Sequence, residues 1–530
     1  MESTEYDKAV VEATNAISEV EKLQDSSDIN DIISLAEFRV WFGHALMYIG
    51  QTERAMLLLQ QVTTMSREDE IGDYQRRDVI VGRAHNHIGY IHWMTDGKYE
   101  EALREFTKAV SYFPADMPSH EYATALDNLG RVYAQLGHRS LAIRLIERGR
   151  VQRESLRNNS LGQYRYALSL HSHAVAYLMF GQPYRAVLLC EEALDVFGQL
   201  GVEDGRRRGE GLALLTMGTA ERFLSTFWRN RKPDEANLHL NLAEQYLVSA
   251  AQIFGATDVA LSVPTAQAAK VNSRNEKPID EPIRLVQAYG ELGCVYRERA
   301  ILNKSPENLQ IAYANESFKR AIMVADQHDY HVLIADIYED IAQLYFRIGE
   351  YKEAEQQLRL AVDSIPEECR PNMPAKSTSG TFPGCSEDYW QQLGKIHILY
   401  GNIKILEKSR TTRNRQRNIT SAVEHYVLAV SYFESFMTRP LSPENIWLYP
   451  DLYPQLAYHI LFTSEIHDRL GDLKPDDLMW VRNNILPSLY QKHNISSRVQ
   501  TFFERATEFI QRISGSSGLE DTEFSIRLDA

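Results

Sequence analysis

The chain has 530 residues, of which 57 are basic and 72 acidic, for a formal charge of −15, and 44% of it is hydrophobic. It is too long for one compact domain and too acidic for a general affinity for nucleic acid or anionic membrane, yet apolar enough to bury a core. Four cysteines (Cys190, Cys294, Cys369, Cys385) are too few for a disulfide scaffold and lack C-x-x-C metal spacing. The N-terminus is acidic, without the basic start and apolar core of a signal peptide, and no apolar run of about 18 residues appears. The expected location is cytoplasmic, with no membrane partner.

In chain order, residues 5–24 carry Ala9, Val10, Ala13, Ala16, Ile17 and Val20 at helical spacing, and a capping helix is expected within residues 1–35. A pattern of small, large and aromatic residues then recurs. It runs Gly43, Gly50, Ala55, Leu59; Gly89, Gly97, Ala102, Phe106; Gly130, Tyr133, Ala142, Ile146; and Ala174, Tyr177, Ala186, Cys190. A fifth copy joins Gly218 to Ala243 and Leu247, and a sixth joins Gly293 to Ala314 and Phe318. The seventh is the most complete, with Tyr338, Ala342, Tyr345, Gly349, Tyr351, Ala354, Leu358, Ala361 and Pro366. The eighth opens at Trp390, Leu393, Gly394 and His397 and resumes at Ala422, Tyr426 and Ala429. Helices are expected at about 452–470, 475–491 and 496–513, the second kinked by Pro487.

The spacing has a physical reading. Ala342 and Ala354 are small because two antiparallel helices approach there, Gly349 turns the chain between them, and Pro366 stops the second helix. This is the 34-residue helix-turn-helix pattern W-x2-L-G-x2-Y…A-x3-F…P. The small marker recurs at Gly43, Gly89, Gly130, Ala174, Gly218, Gly293, Ala342 and Gly394, at steps longer than that minimal unit. The chain therefore resembles the tetratricopeptide repeat superfamily, in particular its long-repeat, kinesin-light-chain-like branch, found also as the sensor region of bacterial signalling ATPases and transcription regulators.

The resemblance covers roughly residues 36–435. It implies an all-α, right-handed α-solenoid of about eight helix-turn-helix units with N- and C-terminal capping helices. The expected organisation is units one to five over 36–254, a mobile connection over 255–282, and units six and seven over 283–368. A mobile loop over 369–386 follows, then unit eight with a basic insertion over 387–435, a degenerate unit and cap over 436–514, and a flexible tail over 515–530.

Catalysis has no anchor in the sequence: the phosphate-binding G-x-x-x-x-G-K-S/T loop, H-E-x-x-H and G-x-S-x-G are all missing, and no cofactor is expected. His85, His87 and His92 share one helix, and His85 and His92 replace aromatic residues of the repeat, which makes them packing residues before metal ligands. Cys369 and Cys385 bracket the Pro/Gly loop and are expected to stay thiols. Arg206, Arg207 and Arg208 are expected in the turn before unit five. The basic stretch Lys408, Arg410, Arg413, Arg415 and Arg417 is expected in a loop, either hydrated or bound to phosphates or an acidic partner.

The resemblance also implies that the first helix of each unit lines a concave groove. There it would present Met47, Tyr48, Tyr90, Trp93, Met94, Leu178, Met179 and Phe223, with Arg131, Arg222, Arg297, Glu298, Glu339, Arg347 and Lys395 making the continuation charged. Met and aromatic side chains suit a peptide or helix; the competing reading buries them as core. The carboxylate clamp of chaperone-binding relatives is not matched, since its places hold Val40, His44, Asn86, Tyr90, Asp127 and Arg131. The expected function is a non-enzymatic scaffold, adaptor or inhibitor holding a protein or peptide in the groove. The alternatives are a ligand-responsive sensor module and, third, a metal-dependent enzyme built on the histidines.

Overall fold

A computed structural model describes residues 29–48, 51–64, 74–94, 98–114, 118–136, 138–201, 206–256, 278–279, 281–303, 309–370, 388–407 and 411–437. Towards the C-terminus it describes 469–470, 473–495, 497, 499–501, 503–504 and 507. The expected capping helix at 5–24, most of both long connections, the bulk of the helices expected at 452–470 and 496–513 and the tail from Gly515 lie outside the described residues.

Among the described residues the structure is all-α, and its helices follow one another in pairs. They are α1 (Ile29–Tyr48) and α2 (Thr52–Thr63); α3 (Tyr74–Met94) and α4 (Tyr99–Tyr112); α5 (His120–Gln135) and α6 (Arg139–Glu154); α7 (Ser160–Met179) and α8 (Pro183–Gly198). Then come α9 (Arg206–Trp228) and α10 (Pro233–Ile253); α11 (Pro282–Asn303) and α12 (Leu309–Gln327); α13 (His331–Arg347) and α14 (Tyr351–Asp363); α15 (Asp388–Leu406) and α16 (Thr412–Met437). The chain divides into two compact units, one up to Ile337 and the other from Tyr338.

The recurring small residues do what their spacing requires. A β-carbon on Gly130 would lie 2.6 Å from Cγ1 of Ile146 and 3.1 Å from the Ala142 carbonyl oxygen, so only glycine lets α5 and α6 close on each other. The seventh pair turns at Gly349, whose φ of 88° is left-handed, and α14 ends at Asp363, short of Pro366. Start signals are equally local. Ser119 caps α5 by accepting from the Tyr122 amide at 3.0 Å, and Asn159 caps α7 by accepting from the Gly162 amide at 2.8 Å.

In the first unit, second helices pack on the first helix of the next pair, while first helices also touch one another: α1 with α3, α3 with α5, α5 with α7, α7 with α9, and α9 with α11. Contact of that extent does not join successive second helices among the described residues. A row that touches while its partner row splays is the inner side of a curve. Apolar clusters fill each joint, with Phe42, Leu46, Leu59, Val81 and Ile88 between the first two pairs and Tyr166, Leu170 and Phe197 in the fourth.

The second unit departs from expectation in two places. In the eighth pair the close approach is at Gly401, where a β-carbon would lie 2.3 Å from the Tyr426 ring, so the first-helix register is one heptad later than Gly394 suggested. The reason is volume: Tyr426 is a larger ring than the usual residue there, and only the glycine opposite it leaves room. Further on, α17 (Pro475–Trp480) and α18 (Leu486–His493) are joined through a π-turn, Val481–Ile485, directly before Pro487. Pro487 lacks an N–H and its ring crowds the preceding turn, so the ladder widens there. Leu478, Val481, Leu486 and Leu489 bury this helix with Val423 and Tyr426.

Candidate binding groove

The expected groove residues of the first unit stand on the touching row of first helices. Trp93 is 6% exposed. Its ring lies edge-on to Phe106 of α4 at 6.4 Å and to Tyr90 at 5.9 Å, while the Arg131 guanidinium sits 4.6 Å above it. Trp93 is therefore packed beneath the groove, and Met94, at 39% exposed, is the open residue of that turn. Met47, Leu178 and Met179 are half-buried, each against the core of its own joint. Phe223 is half-buried under the Arg222 guanidinium at 4.6 Å. Tyr48 ends α1, and its side chain lies outside the described residues.

The arginines fall into two groups. In the later pairs they are engaged. Arg222 donates to both oxygens of Glu291, at 2.6 and 3.2 Å, and Arg229 donates to Glu298 at 2.8 Å, both ties running from the α9 side to α11. Arg297 lies 3.3 Å from Glu298, and Arg299 donates at 2.5 Å to Glu244, a carboxylate that also accepts from the Tyr296 hydroxyl. Arg222 is thus a structural tie between helices, and Arg297 is engaged by its neighbour on α11.

On the first helices of the earlier pairs three arginines have no such tie, while Arg76, Arg150 and Arg153 are ion-paired. Among the described residues, the guanidiniums of Arg83, Arg131 and Arg165 make no hydrogen bond or ion pair; Arg83 lies 4.4 Å over the Trp41 ring, and Arg131 over Trp93. Asp127, the carboxylate on the same helix as Arg131, is taken by Arg153, whose other Nη donates to Thr124 at 3.0 Å. Arg208 and Arg284 share one carboxylate, Glu281. Arg208 holds it with both Nε and Nη2, the latter at 3.2 Å, while Arg284 Nε stands 3.9 Å away, buried and without a hydrogen-bond partner, and Arg284 Nη1 donates to Gln287 at 2.9 Å.

Burial, opposed by Tyr90 and Asp127 and reinforced by the Arg284 and Arg208 cations, lowers the pKa of Arg131. His171 of α7 is pushed down to about 3 by burial and then by Arg131, Arg284 and Arg208; its Nε2 lies 3.0 Å from the Thr216 hydroxyl. Three further arginines on first helices were missed by the sequence pattern. Arg165, Arg208 and Arg284 lie on the N-terminal extensions of long first helices, ahead of the frame set by the minimal repeat. Arg206–Arg208 accordingly open helix α9 and are not in a turn. The signal that finds them is the length of the step between markers.

Elsewhere the expectations change. Arg413, Arg415 and Arg417 stand in the opening turns of α16 and not in a loop, and Arg415 pairs with Asp477 at 2.7 Å; Lys408 and Arg410 lie outside the described residues. Arg347 is exposed beside Phe346, with its guanidinium 5.9 Å from the ring, and Lys395 is half-buried on α15. Cys369 is disulfide-bonded, not a thiol. Cys190 and Cys294 are free and buried, and Cys385 lies outside the described residues. His85 packs as expected, stacked on Tyr112 with Nδ1 2.6 Å from Glu105. Among the described residues no three His, Cys, Asp or Glu side chains are grouped to hold a metal, and no helix is long and apolar enough to cross a membrane.

Among solved structures, the Rap conjugation gene regulator of the plasmid pLS20 in complex with the Phr* peptide is similar at 13% identity and a TM-score of 0.44, over 83% of this chain and 96% of that one. A Rap protein complexed with competence and sporulation factor is similar at 11% identity and 0.46, over 91% and 98%. Aspartyl phosphate phosphatase F from Bacillus subtilis is similar at 11% and 0.32, over 92% and 97%. No curated protein matches the chain. The tetratricopeptide repeat model matches residues 82–116 and 335–368, the second and seventh helix pairs. Through these two repeats the chain is related to the tetratricopeptide repeat superfamily.

Proposed function

We propose that the chain is a non-enzymatic interaction protein that holds a peptide or protein segment on the inner face of its first unit. The observation supporting this reading is the continuous row of first helices α1, α3, α5, α7, α9 and α11, which carries open Met94 and half-buried Tyr90, Leu178, Met179 and Phe223 beside an unpaired Arg131. Flexible Met and rigid aromatic side chains next to a free guanidinium form the composition in which interfaces concentrate binding energy. Trp93 would serve this face from below, holding the Arg131 guanidinium in place.

Panning a peptide-display library on the full-length chain tests the reading. Enriched peptides should lose about tenfold or more in affinity with Met94→Asp or Tyr90→Ala, at nearly unchanged melting. Peptides indifferent to both changes but sensitive to Arg413→Glu would move the site to α16. A library that yields no binder, beside a small molecule carried through purification, would favour the sensor reading.

A further inference from the structure

The turns of the fourth and fifth helix pairs meet at the surface of the first unit and carry aromatic rings that the core does not use. Tyr184, in the first turn of α8, is 53% exposed, and Phe227, one residue before the end of α9, is 47% exposed. The indole N–H of Trp228 donates to the Tyr184 hydroxyl at 3.3 Å and so ties one turn to the other, while Phe227 meets Trp228 edge-on at 5.1 Å. Cations stand on these rings. Arg231 lies 4.6 Å from the Phe227 centroid, and the Lys232 ammonium lies 5.0 Å from that of Trp228. On the α7 side Arg185 lies 5.2 Å from the Tyr177 centroid and donates to its hydroxyl at 3.4 Å. The backbone fixes this arrangement: the Trp228 carbonyl accepts from the amides of both Arg231, at 2.9 Å, and Lys232, at 2.8 Å, and Pro233 then opens α10. Arg229 of the same turn is spent on Glu298, but among the described residues Arg185, Arg231 and Lys232 have no carboxylate partner.

We propose that this turn edge is a second docking surface, separate from the groove, for an acidic segment of a partner protein. The carboxylates of that segment pair with Arg185, Arg231 and Lys232, and its apolar side chains cover Tyr184, Phe227 and Trp228. Charge complementarity carries the choice of partner, because on a chain of −15 these three cations are held in place on rings and left without anions of their own. Trp, Tyr and Arg are also the residue types that dominate binding energy where they cluster, and a turn already fixed by its own hydrogen bonds loses little freedom on docking. A nucleic acid fits less well. Bases need open aromatic faces to stack on, whereas Arg231 and Lys232 stand on the faces of Phe227 and Trp228, and those two rings meet edge to face. A lipid surface fits less well too. Asp234 and Glu235, exposed in the first turn of α10, directly follow the cations and would meet anionic headgroups, as they would meet phosphates.

The test uses the full-length chain and four probes: a fluorescein-labelled peptide of Glu-Leu-Asp repeats, the same peptide with Gln and Asn in place of the acids, a labelled oligothymidine, and vesicles of phosphatidylcholine and phosphatidylserine. Anisotropy titrations should show the acidic peptide bound, less tightly as salt rises, and the amide peptide bound about tenfold or more weakly. Trp228→Ala should weaken the acidic peptide about tenfold or more, and so should Arg231→Gln combined with Lys232→Gln, which should also flatten the salt dependence. Tyr184, Arg231 and Lys232 are exposed, so Tyr184→Ser and the charge variant should melt as the parent does and still lose binding, which separates lost recognition from lost folding. Met94→Asp, which disables the groove, should leave this binding unchanged. An acidic peptide that fails to bind, or that is bound no better than the amide peptide, overturns the proposal. Binding lost with Met94→Asp and kept in the turn variants also overturns it and puts the peptide in the groove, whereas failure of every library peptide above removes the groove and leaves this surface standing. Oligothymidine or vesicles held through Trp228 in place of the acidic peptide overturn it in favour of a nucleic acid or a lipid surface.

Discussion

At Gly130 and Gly198 the same amino acid serves opposite ends. Gly130 has Ile146 Cγ1 2.6 Å from where a β-carbon would go, while Gly198, the last residue of α8, has nothing within 4 Å. Gly130→Ala should therefore lower stability by about 1–3 kcal/mol, because the backbone of α6 must move to admit one methyl group. Gly198→Ala should be neutral or stabilising by about 0.5–1 kcal/mol, since it only removes freedom from the unfolded chain. Denaturant midpoints of both variants check the pair, and equal losses would contradict the packing described for α5 and α6. Trp93 belongs to the same scale. It is buried against Phe106, so Trp93→Ala should cost about 3–5 kcal/mol of stability, and binding must be probed through its exposed neighbours.

Between elements, charge does what small residues do within a pair. Arg222 of α9, 8% exposed, grips Glu291 of α11 with two hydrogen bonds. Arg222→Ala leaves Glu291 facing the joint without its cation and should cost about 3 kcal/mol, whereas Arg222→Met with Glu291→Met should recover most of that loss. A double-mutant cycle by chemical unfolding measures the coupling; a double variant no better than Arg222→Ala would mean that packing, not the ion pair, carries the contact. In the eighth pair the corresponding joint contains two histidines. His397 and His425 face each other through their Nδ1 atoms at 2.9 Å, among Tyr400 and Tyr432, and burial pushes them down to about 3 and about 4.

Over the whole molecule those histidines set a direction for pH. His44 and His171 in the first unit are likewise pushed down by burial, to about 4 and about 3, from an ordinary value of 6.5. The unfolded chain takes up these protons near 6.5 while the folded chain refuses them until pH 3–4. Across that window the unfolded state binds more protons, so stability is full above it and falls as pH drops below 6.5. Each such histidine should contribute on the order of 1–2 kcal/mol of loss at about pH 5. Calorimetric melting from neutral to acidic pH checks the slope, and a parent whose melting is flat through that range would show these rings to be solvated. His397→Gln should flatten the acid limb of the second unit's transition.

What the sequence determined by itself was local. The small residue opposite a large one, the glycine at Gly349 and the proline at Pro366 act over one or two turns, so their spacing wrote out the helix pairs before any tertiary contact was known. Even the exception, Gly401 in place of Gly394, is a heptad slip along the same helix. What only the tertiary structure decided was which charges remain without partners. Arg131 and Arg222 both stand on first helices and were given the same expected role from the sequence, yet one meets Trp93 and the other Glu291, sixty-nine residues away. Arg208 and Arg284 stand in the opening turns of long first helices, ahead of the minimal frame, and meet at Glu281. Coulomb interactions depend on distance in space, and which charges meet is set by the packing of successive helix pairs, which no single stretch of sequence contains.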